Sequence, residues 1–214
     1  MQDVFTQLAA LRVIPMVVMD NAAHAGKLAD ALVHGGLPVV EITLRTPQAI
    51  EGVRALADRG DLLVGAGTIL STDQADAAID AGANFLVAPG TNPKVVEHVL
   101  KRGHTMIPGV ATATEIERAM SLGLKTLKFF PAETIGGTNA LKAYAGPFPD
   151  VRFLPTGGIT PELLPEYLRV PSVVACGGSW LAPREMLAAG RFDAIACLIE
   201  DAKKLIAPPP EIAT

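Results

Sequence analysis

Short apolar runs bounded by Gly, Pro or Asn alternate with amphipathic, Ala-rich stretches along nearly the whole chain. A brief β-branched or apolar run between turn formers predicts a buried strand, and eight segments fit: 13–19, 38–44, 62–66, 84–88, 104–108, 126–130, 151–155 and 172–176. The stretches between them predict helices over 22–34, 47–58, 72–81, 93–102, 113–122, 139–143, 161–168 and 184–189. Thr46-Pro47, Asn92-Pro93 and Thr160-Pro161 each set a capping residue before a proline at the first helical position. Gly35-Gly36, Gly60, Gly82, Gly103 and Gly123 mark the stops.

A strand followed by a helix, eight times over in units of about 25 residues, predicts a (β/α)8 TIM barrel at the short end of its size range. An extra N-terminal helix over 4–11 is expected to cover the barrel bottom, and a last helix runs over 192–206. The expected organisation is therefore one domain over 1–206, with the Pro-rich segment 207–214 as a loose tail. An open doubly wound sheet is the alternative, but it would normally use fewer strands. The chain also lacks a GxGxxG opening its first helix.

Composition narrows the function classes. Among 214 residues half are hydrophobic and 5% aromatic, a balance common in tightly packed α/β proteins. A net charge of -4 and the absence of any Lys/Arg run argue against a nucleic-acid surface. Cys176 and Cys197 form no close pair and have no ligand-like spacing with histidine, which points to a reducing compartment. No basic-then-apolar leader opens the chain, and no apolar run reaches the roughly 18 residues a membrane span needs. A cytoplasmic protein without a membrane partner is expected. His24, His34, His98 and His104 are scattered and read as surface or packing residues, which disfavours a metal-dependent mechanism.

The chemistry concentrates in two strands. Lys128 is a lone charge in the apolar run Thr126-Leu127-Lys128-Phe129-Phe130-Pro131. Burying an ammonium is costly and favours the neutral, nucleophilic amine, the form that condenses with carbonyl substrates. Alone, such a lysine reads equally as a strand-edge residue with its head in water or as one paired with a carboxylate. Side chains alternate at period two, so Val40, Ile42 and Leu44 face the helices, while Glu41, Thr43 and Arg45 face the barrel interior and its C-terminal mouth. The same parity sends Lys128 and Phe130 inward, and Lys128 and Glu41 are expected to meet in one cavity. An amine, a carboxylate and a guanidinium make a costly polar plug but a working set for carbonyl chemistry on an acidic substrate. Pro155-Thr156-Gly157-Gly158-Ile159 and Cys176-Gly177-Gly178-Ser179 follow the seventh and eighth strands, where exposed backbone N–H groups can cradle a phosphate. Thr68 ends the third strand as a candidate carboxylate contact or a turn residue, and Pro89 ends the fourth as part of the wall.

Val40-Glu41-Ile42-Thr43-Leu44-Arg45-Thr46, Gly65-Ala66-Gly67-Thr68, Lys128-Phe129-Phe130-Pro131-Ala132-Glu133, Pro155-Thr156-Gly157-Gly158-Ile159 and Gly177-Gly178-Ser179-Trp180-Leu181 together resemble the 2-keto-3-deoxy-6-phosphogluconate (KDPG) and 4-hydroxy-2-oxoglutarate (KHG) aldolases. The resemblance covers about 14–205, in order. It implies a class I, metal-free and cofactor-free pyruvate aldolase acting on a phosphorylated keto acid, usually as a homotrimer. It further implies that Lys128 forms the Schiff base and Glu41 is the general acid/base. Arg45 and Thr68 would hold the pyruvyl carboxylate, with Pro89 and Phe130 lining that end. Thr156 would meet the sugar-acid hydroxyls, and Gly157, Gly158, Gly178 and Ser179 the phosphate. Thr156, where galactonate-series members carry valine, favours the gluconate series over the C4 epimer. Two other classes remain: a phosphate-binding barrel isomerase or epimerase with Glu41 as base, and a degenerate barrel that only binds phosphorylated sugar acids.

Overall fold

The computed structural model describes residues 3–206, so the Pro-rich tail expected over 207–214 lies outside the described residues. Nine strands form among the described residues: β1 Val13–Val17, β2 Val39–Thr43, β3 Leu63–Gly67, β4 Phe85–Val87, β5 Thr105–Ile107, β6 Gly109–Val110, β7 Thr126–Phe129, β8 Arg152–Pro155 and β9 Cys176–Gly178. Every ladder is parallel, in the orders β5-β4-β3-β2-β1-β9 and β6-β7-β8. Parallel neighbours need crossover segments, and helices supply them, covering strands that are buried almost throughout. The result is an α/β fold with a TIM-like parallel sheet.

The strand predicted over 104–108 forms as β5 and stops at Pro108, which has no N–H to give the ladder, and a further short strand, β6, begins past the predicted end. Ahead of it, Ile107 O accepts from Ala88 N (3.2 Å). At and beyond it, Pro108 O accepts from Lys128 N (2.9 Å) and Val110 O from Phe130 N (3.2 Å). The segment thus changes partner from β4 to β7 across the proline. Between β8 and β9 the contact is made by bridges at Phe153↔Val173 and Thr156↔Gly177, with Phe153 N donating to Ser172 O (2.7 Å).

The last predicted strand, 172–176, is displaced toward the C-terminus. Val173 makes one bridge, and the regular ladder is Cys176–Gly178, paired with Val13, Ile14 and Pro15 of β1. The Gly177-Gly178 pair, expected to follow the eighth strand, is therefore part of it. Space explains it: a Cβ on Gly177 would lie 2.5 Å from Thr156 Oγ1 and 2.9 Å from Met16 Sδ, so two side chains fill the volume it vacates.

Helix starts divide the same way. Asn92 accepts from Lys94 N (3.1 Å) with Pro93 opening the helix Pro93–Lys101, as predicted. Thr46 instead donates to Met19 O, and its helix begins at Ala49 after a turn. Thr160 likewise precedes a turn, and the helix there is Leu164–Leu168. The predicted 22–34 helix splits into a 3-10 turn, Ala22–His24, capped by Asn21, and the α-helix Ala25–His34. The helix expected over 139–143 extends to Gly137–Ala145. Glycine stops fall just past helix ends, as at Gly103 (φ +73). Ahead of β1 lies the helix Val4–Leu11, ending at Arg12, whose guanidinium donates to Leu168 O (2.6 Å).

Candidate active site

The strand parity of β2 and β7 brings two charges together inside the protein. Lys128 Nζ lies 3.3 Å from Glu41 Oε1, with the lysine side chain 5% and the glutamate 0% exposed. Strand register fixes the meeting: Glu41 pairs with Met16 on one side and Gly65 on the other, and Lys128 with Gly109 and Leu154. Glycines make the room. A Cβ on Gly67 would stand 2.1 Å from Glu41 Oε1, and one on Gly109 2.1 Å from Pro89 O. The Lys128 ammonium nitrogen also lies 5.4 Å from the centre of the Phe130 ring. Glu41 Oε2 is buried with no hydrogen-bond partner among the described residues. A buried ion pair with an open acceptor is poor economy for stability alone.

Gly67→Ala should push the Glu41 carboxylate off its seat while leaving both reacting groups in place chemically. An ångström of misplacement is worth on the order of 100-fold in rate. Stopped-flow imine formation in Gly67→Ala is expected to slow by about that factor, with near-UV circular dichroism checking the fold. A rate within twofold of the parent would show that the carboxylate position does not matter.

Above this pair, a pocket of about 120 Å³ opens between the ends of the strands. Arg45, Phe130, Thr156, Gly157, Gly158 and Ser179 line it, so six of the residues singled out from sequence meet there. Gly157 and Gly158 take φ of +100 and +80, conformations that cost glycine little. Among the described residues the N–H of Gly157 faces Gly177 O across the bridge Thr156↔Gly177, while no backbone acceptor meets the N–H groups of Gly158 and Ile159. Two free donors at a concave mouth form a ready anion cradle.

Thr68, Pro89 and Gly178, singled out from sequence as well, are not among the residues that line this pocket. Thr68 follows Gly67 directly and holds a left-handed backbone (φ +63), a conformation a threonine adopts only under constraint. Pro89 packs its carbonyl over Gly109, the register partner of Lys128. Gly178 presents its open side to the Trp180 indole and Leu181. Thr43 donates to Val17 O (3.0 Å) and ties β2 to β1. Ile159 and Gly177, from the two glycine-rich segments, also line the pocket, and sequence reasoning missed only Met16 among its lining residues. Parity applied to β1 would have found Met16, which lies opposite Glu41. A wider groove of about 440 Å³ lies elsewhere, lined by the exposed Lys27, Asp30, His34 and Asp193 together with Ala31, Phe192 and Ala196, with no buried reactive group.

A buried amine beside a buried carboxylate, under a glycine-lined anion cradle in a TIM-like fold, defines an enzyme equipped for Schiff-base chemistry. The family model "Aldolase: KDPG and KHG aldolase" matches residues 4–198, and the chain belongs to that family. The 2-dehydro-3-deoxy-phosphogluconate aldolase of Treponema pallidum (strain Nichols) is 46% identical over 207 residues, covering 96% of this chain and 99% of that protein. Two solved structures are similar. One is the 2-keto-3-deoxy-6-phosphogluconate aldolase of Zymomonas mobilis ZM4 with 3-phosphoglycerate (TM-score 0.89, 40% identity, 96% and 98% of the two chains). The other is the KDPG aldolase of Legionella pneumophila with pyruvate captured as a covalent carbinolamine intermediate (TM-score 0.90, 38% identity, 94% and 98%).

Proposed function

We propose that this protein is a Schiff-base lyase that cleaves KDPG to pyruvate and glyceraldehyde 3-phosphate, with Lys128 as nucleophile and Glu41 as proton carrier. The observation that carries the reading is the 3.3 Å approach of Lys128 Nζ to Glu41 Oε1 beneath the anion cradle, with Glu41 Oε2 free. The carbinolamine of the Legionella relative supports the first covalent step, and the 3-phosphoglycerate of the Zymomonas relative supports a phosphorylated acid as ligand.

In this reading the Lys128 amine adds to the keto carbon, and Glu41 delivers the proton that lets the carbinolamine oxygen leave as water. The iminium then draws electrons from the C3–C4 bond as the C4 hydroxyl loses its proton to Glu41, directly or through water. Glyceraldehyde 3-phosphate departs, the enamine takes a proton at C3, and hydrolysis of the new iminium releases pyruvate and restores the amine. Arg45 and Thr68 hold the pyruvyl carboxylate, Pro89 and Phe130 shape that end, and Thr156 meets the hydroxyls. Gly157, Gly158, Gly178 and Ser179 receive the phosphate. The shorter substrate 4-hydroxy-2-oxoglutarate uses the same amine without the cradle. An isomerase reading finds no use for an amine held this close to the carboxylate.

The eight strand positions close as a (β/α)8 barrel in this account, supported by the partner change at Pro108 and the bridges between β8 and β9, with Val4–Leu11 as the additional helix. A homotrimer follows from the family resemblance, and a reducing, cytoplasmic setting suits the free thiols Cys176 and Cys197. No helix among the described residues is long and apolar enough to cross a membrane.

The test is a stereochemically defined substrate panel with pyruvate detected through lactate dehydrogenase. KDPG should be turned over faster than its C4 epimer, because Thr156 presents a hydroxyl at the mouth. Turnover of neither sugar acid would refute the function, and preference for the galactonate epimer would refute the role of Thr156. Ser179→Ala should raise KM for KDPG about tenfold, the loss of one hydrogen bond to a charged group, and leave KM for 4-hydroxy-2-oxoglutarate unchanged. Equal effects on both substrates would remove Ser179 from the phosphate site.

A further inference from the structure

We infer that Glu133, anchored by Tyr167, is a positioning residue that holds the Gly157–Gly158 turn in its anion-receiving shape and so sets the preference for phosphorylated over unphosphorylated substrate. The inference rests on the aldolase reading above for what the cradle binds, but its geometry stands apart from Lys128 and Glu41.

The segment after β7 runs beneath the turn after β8. Ala132 N donates to Thr156 O (2.8 Å) and Glu133 N to Gly157 O (3.1 Å), so the turn's carbonyls are drawn down onto this segment. The N–H groups of Gly158 and Ile159 are left without backbone acceptors. The Glu133 side chain then walls the turn from outside: a Cβ on Gly158 would stand 2.7 Å from Glu133 Cβ and 2.9 Å from Cγ. Phe130 does the same for Gly157, whose Cβ would lie 3.3 Å from the ring.

The carboxylate of Glu133 is spoken for. Its Oε1 accepts a hydrogen bond from the Tyr167 hydroxyl, carried on the helix Leu164–Leu168 that follows the turn. Tyr167 is 1% exposed, so the anchor itself cannot drift. Burial, and then the hydrogen bond to Glu133, push the Tyr167 phenol above its ordinary range and keep it a donor at any working pH. Gly137, which opens the helix Gly137–Ala145, lies on the other side, where its Cβ would meet Glu133 Oε1 at 3.1 Å and Tyr167 Oη at 3.3 Å. One acid therefore locks the turn, the helix after it and the helix after β7 to each other.

The anchor has an electrostatic consequence as well. A carboxylate beside an anion cradle repels phosphate if it is free to turn inward, and Glu133 is an exposed residue next to that mouth. Tyr167 directs its charge the other way. Losing the anchor both loosens the turn and releases a like charge toward the ligand.

Three variants read this out: Glu133→Ala removes the carboxylate and the Cγ part of the wall, Glu133→Gln keeps the whole wall and the acceptor oxygen, and Tyr167→Phe frees the carboxylate. Glu133→Ala and Tyr167→Phe should each raise KM for KDPG about tenfold, with kcat and KM for 4-hydroxy-2-oxoglutarate within about twofold of the parent. Glu133→Gln should restore the parent KM. Calorimetric affinity for 3-phosphoglycerate should fall by the same factor without any turnover. That arm judges the inference even if the aldolase reading fails, because a parent that binds 3-phosphoglycerate but cleaves nothing refutes only the latter. Should Tyr167→Phe not fold, Glu133→Ala at its exposed site carries the test. Unchanged affinity and KM in Glu133→Ala, or equal losses on both substrates, would overturn the inference.

Discussion

Replacing Lys128 with alanine is expected to lower KDPG cleavage by roughly four orders of magnitude or more, the scale seen when a covalent nucleophile is removed. No other amine among the described residues shares the Glu41 cavity, so no neighbour can take over. The substitution leaves Glu41 fully buried without its cation, and breaking a buried pair costs about 3–5 kcal/mol when the remaining charge stays. Lys128→Met, which fills the vacated volume, separates loss of chemistry from loss of fold. Steady-state cleavage should be absent in both variants while far-UV circular dichroism of the methionine variant remains that of the parent. Measurable cleavage by folded Lys128→Met would remove the nucleophile from the account.

Glu41→Gln should give the second largest effect. The carboxamide keeps the size and an acceptor for Lys128 Nζ, but it cannot pass protons, and positioned acid–base groups contribute roughly 100- to 10,000-fold. Carbinolamine dehydration and C4 deprotonation both draw on this group. Slow steps are thus expected in imine formation with pyruvate as well as in cleavage. The rate of borohydride-trappable adduct, followed by stopped-flow quench, checks it. A normal rate in Glu41→Gln would move the proton shuttle elsewhere.

Much of the site was legible because strand parity is a strict rule. Once 38–44 and 126–130 were read as strands, the inward direction of Glu41, Arg45, Lys128 and Phe130 followed, and the 3.3 Å pair needed no long-range guess. Where the reading slipped, a local rule lost to a tertiary one. Gly177 and Gly178 resemble a turn by composition, yet they pair with β1 because Thr156 and Met16 need the space. Thr46 is a good capping residue by type, but Met19 O is nearer at hand for its hydroxyl. Pro108 stops β5, and β6 begins just past it without breaking the path of the chain. The left-handed backbone of Thr68 and the Glu133–Tyr167 anchor left no mark in periodicity, since each depends on contacts made across distant loops.

The central claim is that one amine becomes covalently bound to the substrate, and peptide mapping after borohydride reduction in the presence of pyruvate tests it most directly. The account predicts a single reduced pyruvyl adduct, on the peptide containing Lys128. An unmodified Lys128 peptide in an enzyme that still cleaves KDPG, or an adduct on a different lysine, would contradict it.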